Sequence, residues 1–496
     1  MRESGILLPI SSLPSPYGIG CFSKEAYEFV DQLALANQKY WQILPLGPTS
    51  YGDSPYQSFS TYAGNPYFID LNTLIEEGVL TKKECDLADF GSDSRFIDYG
   101  KLYKARYKLL RKAYERSNIS KNPEFQTFQE ENAWWLDDYA LFMAVKGFFQ
   151  DECWDKWPED IKKRYGYALD YYREQLYFEI EFQKYMQFEF SIQWKKLKAY
   201  ANENGIRIIG DIPIYVAYDS ADTWAHPELF QLDEENVPLA VAGCPPDGFA
   251  ADGQLWGNPL YRWDYHRQTG YAWWMQRLSY AFYLYDVVRI DHFRGFDEYF
   301  SIPYGDTTAR NGHWEKGPGI ELFRRMKEVL GERDVIAEDL GYVTDSVRQM
   351  VFESGFPGMK VFEFAFDSRD TGCAGDYLPH NYPVNSVVYT GTHDNATLIG
   401  WYQDIPKEGR EMLRDYIHDY ITSDRSLYWS VICRVMGSPA RICMIPMQDY
   451  LGLDNTCRIN TPSTLGTNWK WRLLDGEFTS DLQNKIKKLV RIYQRN

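Results

Sequence analysis

Short apolar runs bounded by turn residues recur along the 496-residue chain and predict buried strands. They are rich in Val, Ile or Tyr, as is typical of parallel strands that are covered on both faces. Eight such runs occur, at residues 40–46, 67–71, 206–209, 286–290, 334–337, 360–366, 386–389 and 441–446. Helical patterns separate most of them, so the sequence predicts an α/β fold, a (β/α)8 barrel rather than an open sheet.

Two intervals between these runs are too long for simple crossovers. Residues 72–204 carry strong helical patterns and are interpreted as a helical insertion. Residues 215–269 are rich in Pro, Gly, Asp and aromatic residues, and long loops of this kind often form lids or binding walls in enzymes. No repeat or linker interrupts the pattern. We therefore predict one catalytic domain over residues 1–496, with both insertions inside it and no separate C-terminal β domain.

Composition and charge narrow the possible partners. The formal net charge is −17, which disfavours binding to nucleic acid or to an anionic membrane surface. No apolar stretch is long enough to span a membrane, and the N-terminus has no adequate apolar signal segment. The eight cysteines are widely spaced without a C-x-x-C pair, which favours reduced thiols. We therefore expect a cytoplasmic protein.

The aromatic content and the absence of metal-binding and phosphate-binding motifs narrow the possible ligands. Phe, Trp and Tyr make up 17% of the chain, which fits either packed cores or rings that stack on sugars. The seven histidines are scattered and no phosphate-cradling glycine loop occurs. The sequence therefore predicts no metal, no nucleotide and no other cofactor.

Four acidic residues follow strand-like runs and are candidates for catalysis: Asp211, Asp291, Glu338 and Asp394. Carboxyl ends of barrel strands converge on one mouth, where barrel active sites lie. Cleavage of a glycosidic bond needs one carboxylate to attack and one carboxylic acid to protonate the leaving oxygen. A lone Asp after a strand is also a common helix N-cap, so each residue alone has a structural alternative. The similar residues expected to be structural are Asp286, Asp297, Glu298 and Asp339.

Two of these acids differ in their sequence surroundings. Arg289 lies two residues before Asp291, on the same face of a strand, where its guanidinium would keep Asp291 ionised. Glu338 has no adjacent cation and follows an apolar run, so desolvation is expected to raise its pKa. This contrast suits a nucleophile and a general acid, respectively.

The motifs around these residues resemble those of the amylomaltases, glycoside hydrolase family 77, which are relatives of the α-amylase clan. Val-Val-Arg-Ile-Asp-His-Phe-Arg-Gly at 287–295 is similar to the nucleophile motif, and Ala-Glu-Asp-Leu-Gly at 337–341 to the acid/base strand. Gly-Thr-His-Asp-Asn at 391–395 resembles the third carboxylate motif, and Gly-Asp-Ile-Pro-Ile-Tyr at 210–215 the first conserved region. The likeness extends over nearly the whole chain, through segments 8–14, 51–57, 63–67, 242–247, 254–259, 458–462 and 468–472.

The resemblance implies a role for each candidate residue. Asp291 would be the nucleophile, Glu338 the general acid and then base, and Asp394 the residue that holds substrate hydroxyls and favours a distorted ring. The implied substrate-binding residues are Asp211, Arg289 and His393 at the donor glucose, His292, Gln254 and Trp256 at neighbouring rings, and Asn460 in the motif at 458–462. Tyr51 and Tyr56 resemble aromatics of a secondary glucan site, and packed loop tyrosines are the alternative.

The activity implied is that of a retaining 4-α-glucanotransferase acting on maltooligosaccharides and other α-1,4-glucans, with glucose as an acceptor. Its two main carboxyl groups, on Asp291 and Glu338, would lie ~5–5.5 Å apart. An α-glucan hydrolase of the same clan and a non-catalytic glucan-binding protein are the alternatives. Cys244, and 248–251, depart from the sequences seen in relatives, which leaves loop contacts and product size open.

Overall fold

Eight of the described strands form a closed, all-parallel barrel. The computed structural model describes residues 2–246, 251–341, 343–366 and 374–496. Its strands are β1 (Glu3–Leu7), β2 (Tyr40–Gln42), β3 (Arg207–Ile212), β4 (Ala240–Cys244), β5 (Gln254–Pro259), β6 (Val287–Ile290), β7 (Glu298–Pro303), β8 (His313–Lys316), β9 (Val335–Ala337), β10 (Gly358–Val361), β11 (Ser386–Tyr389) and β12 (Ile442–Pro446). The barrel order is β1-β12-β11-β10-β9-β6-β3-β2, which confirms the predicted (β/α)8 fold class.

Helices connect and surround these strands. They are α1 (Lys24–Leu35), α2 (Leu71–Glu76), α3 (Lys82–Asp86), α4 (Tyr99–Ser117), α5 (Pro123–Phe148), α6 (Glu159–Lys162), α7 (Gly166–Gln175), α8 (Tyr177–Glu203), α9 (Ala221–Ala225), α10 (Trp263–Gln268), α11 (Ala272–Leu284), α12 (Ile320–Leu330), α13 (Asp345–Ser354), α14 (Leu398–Asp404), α15 (Lys407–Ile417), α16 (Leu427–Met436), α17 (Met447–Leu451) and α18 (Ser480–Tyr493). No helix in the described ranges is long and apolar enough to cross a bilayer. After β12, residues 447–496 form helices and turns and build no β domain.

Seven of the eight predicted runs overlap barrel strands, and the run at 67–71 does not. That segment forms a 3₁₀ turn, Pro66–Phe68, followed by the start of α2. Two caps impose this conformation. The Asn65 side chain accepts from the backbone N–H of Tyr67, and the Asp70 carboxylate caps the first turn of α2. Only the first part of the run at 360–366 is a strand, because Phe362–Ala365 continues as a 3₁₀ turn.

The eighth barrel strand is instead β1, near the N-terminus. It pairs with β2 on one side, through Gly5 and Tyr40, and with β12 on the other, through Glu3 and Ile442. A Cβ atom on Gly5 would lie 2.5 Å from the carbonyl oxygen of Tyr40, so the close approach of β1 to β2 requires glycine. Ile6 is fully buried in the barrel core.

Both long intervals contain regular structure. Helices α3–α8 occupy most of the interval 72–204, where α5 and α8 pack through Phe125 and Phe188 with ring centroids 5.3 Å apart. The interval 215–269 holds α9, β4, β5 and α10. Strands β4 and β5 join β7 and β8 in an antiparallel sheet of order β5-β4-β7-β8. These four strands lie in connections that leave the carboxyl ends of β3 and β6, so the sheet forms a wall at that mouth. The division into one domain with two insertions stays a prediction.

Candidate active site

The four candidate carboxylates all lie at the carboxyl ends of barrel strands. Asp211 is the penultimate residue of β3, while Asp291 and Glu338 directly follow β6 and β9. The backbone N–H of Asp291 donates to Ile212 O at 2.9 Å, and that of Glu338 donates to Ile290 O at 3.1 Å. Main-chain hydrogen bonds between neighbouring strands therefore fix these three positions relative to one another. Asp394 lies on the loop that follows β11.

A buried arginine joins two of the carboxylates. The Arg289 Nη1 atom donates to Asp211 Oδ2 at 2.6 Å and to Asp291 Oδ1 at 3.0 Å. Arg289 and Asp211 are buried, so their charges depend on this pairing. Burial opposes the charge of Arg289, but the carboxylates of Asp211 and Asp291 outweigh it and hold the pKa of Arg289 well above its usual value.

The ionisation of Asp291 differs from the sequence-based expectation. Burial raises its pKa to about 6, although Arg289 acts in the opposite direction. The neighbouring carboxylates of Asp211 and Asp394 also raise this pKa. Arg289 is shared between two carboxylates, so it offsets only part of the cost of burying Asp291. Asp291 is therefore largely ionised above, and not below, a pH of about 6.

Glu338 carries the higher pKa of the two neighbouring acids. Burial raises the pKa of Glu338 well above its usual value, and the negative charge of Asp291 raises it further. Its carboxyl oxygens accept backbone hydrogen bonds from His292 at 2.7 Å and from Leu340 at 3.1 Å. His292 adopts a left-handed conformation (φ 50°, ψ 48°), a strained backbone of the kind found at functional sites. When Asp291 and Glu338 hold one proton between them, it resides on Glu338.

The third carboxylate is held by residues of two loops. Asp394 Oδ1 accepts from Asn460 Nδ2 at 2.6 Å, and Asp394 Oδ2 lies 3.3 Å from His393 Nε2. Burial raises the pKa of Asp394, but His393 and Asn460 outweigh it and leave this pKa below its usual value. For His393, burial lowers the pKa and Asp394 raises it by more. Asp394 is thus held as a carboxylate beside His393.

Tyr56 links the two halves of the cluster. Its hydroxyl donates to Asp211 Oδ2 at 2.7 Å and lies 2.8 Å from His393 Nε2. Its ring stacks on His393 with centroids 5.2 Å apart. The resemblance implied a secondary glucan site for Tyr56, whereas these contacts belong to the carboxylate cluster itself. The side chain of Tyr51, the other tyrosine named for that site, lies outside the described part of the structure.

The antiparallel sheet brings two more predicted residues to the mouth. Trp256 of β5 packs edge-on against the His292 ring with centroids 4.8 Å apart, and its Nε1 donates to Gln254 Oε1 at 3.1 Å. Burial lowers the pKa of His292 to about 3, so its ring is neutral at physiological pH. The buried Nε2 atom of His292 has no hydrogen-bond partner among the described residues.

Two neighbours of the cluster were quoted in the sequence motifs without a role. Arg458 donates to the main-chain oxygens of Asp394 and Asn460. Trp469 packs against Tyr56 and His393 with ring centroids 5.9 and 6.1 Å away. The motifs at 458–462 and 468–472 were the available signal, but they do not say which side chains face the site.

The four acids expected to be structural have partners outside the cluster. Asp286 accepts from the backbone of Ile208, and Asp339 accepts from that of Met359. Asp297 accepts from Ser346, and Glu298 pairs with Lys316 at 2.6 Å. Among the described residues, no group of three or more His, Cys, Asp and Glu side chains is arranged to hold a metal ion.

A carboxylate cluster at the mouth of a parallel barrel is typical of (β/α)8 enzymes that act on glycosidic bonds. The sequence pattern of the 4-alpha-glucanotransferases, glycoside hydrolase family 77, matches residues 8–477. The chain therefore belongs to this enzyme family, as the motifs had indicated.

Individual relatives agree with this assignment. The chain is 50% identical to a 4-alpha-glucanotransferase of Clostridium butyricum over 488 residues, 98% of this chain and 99% of that protein. It is 45% identical to the Thermus thermophilus 4-alpha-glucanotransferase over 503 residues, 100% of this chain and 99% of that protein. A Streptococcus agalactiae amylomaltase, solved in complex with acarbose, superposes with a TM-score of 0.96 and 41% identity, with both chains fully covered.

Proposed function

We propose that this enzyme transfers α-1,4-glucan segments between maltooligosaccharides, or to glucose, through a covalent glycosyl intermediate on Asp291. The observation that carries the proposal is the pair of neighbouring acids with separated pKa values. Burial raises the pKa of Asp291 to about 6, and burial together with the adjacent negative charge of Asp291 raises the pKa of Glu338 well above its usual value. One ionised and one protonated carboxyl group are what a retaining glycosidic mechanism requires.

In the first step, Glu338 protonates the glycosidic oxygen while an oxygen of Asp291 attacks C1 of the donor sugar. The C1–O bond of the glycoside breaks and the reducing-end fragment leaves. In the second step, ionised Glu338 removes the proton from the 4-hydroxyl of an acceptor. The acceptor oxygen then attacks C1, and the bond to Asp291 breaks. Two inversions retain the anomeric configuration, and we expect ~5–5.5 Å between the two carboxyl groups.

The remaining residues would bind the donor sugar around these two groups. Asp394, ionised and 42% exposed, would accept hydrogen bonds from ring hydroxyls and favour the distorted ring. Asp211, Arg289 and His393 would complete the donor glucose site, since Asp211 Oδ1 is a buried acceptor without a partner in the described chain. Asn460 would act on substrate chiefly by orienting Asp394.

Transfer requires that a sugar hydroxyl, rather than water, reach the intermediate. Water is ~55 M, so the acceptor site must bind glucan and exclude solvent. Trp256 of the sheet supplies an aromatic ring that packs against His292, and His292 supplies a buried ring nitrogen without a partner among the described residues. The backbone N–H of His292 donates to Glu338, which connects this region to the candidate acid. Such groups suit a glucose ring that stacks and donates a hydrogen bond. Tyr56, by contrast, would hold the floor of the donor site. The predicted cytoplasmic location and a secondary glucan site at Tyr51 stay predictions.

Maltotriose provides the direct test. We expect thin-layer chromatography to show glucose together with a ladder of longer oligomers. Maltose and glucose alone would instead identify a hydrolase. Asp291→Asn should reduce turnover by at least about 10³-fold while maltoheptaose binding, measured by calorimetry, is retained. Asp286→Asn is the matched control, because Asp286 has the same side chain but lies at the opposite end of β6. Binding without turnover in the unmodified protein would indicate a non-catalytic glucan-binding protein.

A further inference from the structure

Two loops at the barrel mouth are tied together by hydrogen bonds. The first, residues 390–397, follows β11 and carries His393 and Asp394. The second, which includes residues 454–469, follows β12 and α17. The backbone N–H of Asn460 donates to His393 O at 3.1 Å. The backbone N–H of Thr397 donates to Asn455 Oδ1 at 3.1 Å. The position of Asp394 therefore depends on the second loop.

One guanidinium holds both loops at the point where they meet. Arg458 Nε donates to Asn460 O at 2.6 Å, and Arg458 Nη2 donates to Asp394 O. The side chains of the same two residues are joined as well, because Asn460 Nδ2 donates to Asp394 Oδ1 at 2.6 Å. Arg458 thus fixes the main chains of Asp394 and Asn460, and the side chains of these two residues are hydrogen-bonded to each other.

Asp394 needs such support because packing does not fix its side chain. The Asp394 side chain is 42% exposed, whereas the side chains of Asp211 and Arg289 are almost fully buried. A half-buried carboxylate that packing does not fix takes its orientation from hydrogen bonds, here those of Asn460 and His393. The planar fork of an arginine can hold two carbonyl oxygens at fixed directions, which a lysine ammonium cannot.

We propose that Arg458 is a positioning residue that aligns Asp394 with the reacting sugar through the Asn460 amide. Arg458 contacts the main chain of Asp394 rather than its carboxylate, so its effect on the sugar is expected to pass through Asp394. The inference rests on the proposed function, in which Asp394 favours the distorted donor ring. Misalignment of Asp394 would then weaken the transition state more than the ground state.

The test compares Arg458→Met and Arg458→Lys with the unmodified enzyme in maltotriose disproportionation. We expect Arg458→Met to lower kcat by about 100-fold, the scale of a 1 Å misplacement, with KM changed little. Arg458→Lys keeps the charge but loses the fork, and we expect a smaller loss of kcat. Thermal melting shows whether Arg458→Met folds. If it does not fold, Arg458→Lys still tests the proposal.

Arg414→Lys is the matched control. Arg414 is also a half-buried arginine that grips main-chain oxygens, those of Asp419 at 2.8 Å and Thr422 at 2.9 Å, in a loop that follows α15. We expect its kcat to match that of the unmodified enzyme. A loss of kcat in Arg414→Lys as large as that in Arg458→Lys would overturn the proposal, because any loop clamp would then have the same effect.

A double-mutant cycle with Asp394→Asn separates positioning from a general structural role. If Arg458 acts through Asp394, Arg458→Met should cause little further loss of kcat in the Asp394→Asn background. An equal fold-loss in both backgrounds, or an unchanged kcat in Arg458→Met alone, would overturn the proposal. If Asp394→Asn itself keeps the full kcat, the failure lies in the proposed function of Asp394 and is distinguishable from a failure at Arg458.

Discussion

The neighbouring strands β3, β6 and β9 carry arginine–aspartate pairs at both ends, in opposite settings. At the amino ends, Arg207 pairs with Asp334 at 2.5 Å, and these side chains are 40% and 50% exposed. At the carboxyl ends, Arg289 pairs with Asp211 at 2.6 Å, and these side chains are 3% and 0% exposed. The ion pairs have the same chemistry and nearly the same length, and they differ in access to water.

This difference decides what each pair can do. Water screens the exposed pair, so the pair adds little to the stability of the fold. At the buried end, charges lose their hydration and act on one another more strongly. There the pKa of Asp291 is raised to about 6, and that of Glu338 is raised further. The same residue types thus make a surface ion pair at one end of the barrel and a candidate catalytic centre at the other.

Removal of the buried arginine should have the largest effect. Arg289→Met leaves the buried carboxylate of Asp211 without its cation, which we expect to cost roughly 3–5 kcal/mol in the free energy of unfolding. Turnover should fall as well, because the pKa of Asp291 rises when the cation that opposes its burial is lost. Urea denaturation and maltotriose kinetics measure the two effects. A variant with unchanged stability would mean that the pair contributes no more than an exposed one.

The pH dependence of kcat/KM tests the separation of the two acids. Reaction needs Asp291 ionised and Glu338 protonated. As pH falls through about 6, Asp291 gains a proton and we expect kcat/KM to fall. At higher pH, Glu338 loses its proton and kcat/KM falls again, so the profile is bell-shaped. Its two limbs report the two ionisations of the Asp291–Glu338 pair as a unit. Arg289→Met should move the acidic limb to higher pH, and an unmoved limb would contradict the role of Arg289.

Removal of the exposed arginine should have the smallest effect. Arg207→Met breaks the ion pair with Asp334 where water solvates both side chains, so we expect a loss of about 0.2–1 kcal/mol in the free energy of unfolding. The pH profile should stay that of the unmodified enzyme, because Asp334 is far from the carboxyl ends of the strands. Measured beside Arg289→Met, a comparable loss of stability would show that burial is not what distinguishes the two ends.

Local sequence was sufficient to predict most barrel strands and the acids that follow them. An apolar run that ends in Asp or Glu is visible without knowledge of the fold, and parallel pairing then brings such ends to one mouth. The error at 67–71 arose because a short apolar run does not distinguish a strand from a capped turn. There, the caps formed by Asn65 and Asp70 determine the conformation.

Contacts between distant segments could not be predicted in the same way. Tyr56 hydrogen-bonds to Asp211, 155 positions away, and Arg458 to Asp394, 64 positions away. Such partners become apparent only when the barrel brings their loops together. The pKa of Asp291 could not be predicted for the same reason. The sequence indicated that Arg289 lies beside Asp291, but not that the buried carboxylate of Asp211 shares this arginine.

The pairing of the first strand with the last has a consequence for fragments of the chain. Because β12 lies between β1 and β11, a fragment that stops before Ile442 exposes two parallel strand edges at once. Unpaired edges are templates for other chains, and a closed barrel is the arrangement that removes them. The last strand therefore closes the barrel. A truncated product that lacks this strand is expected to aggregate, even though it contains Asp291, Glu338 and Asp394.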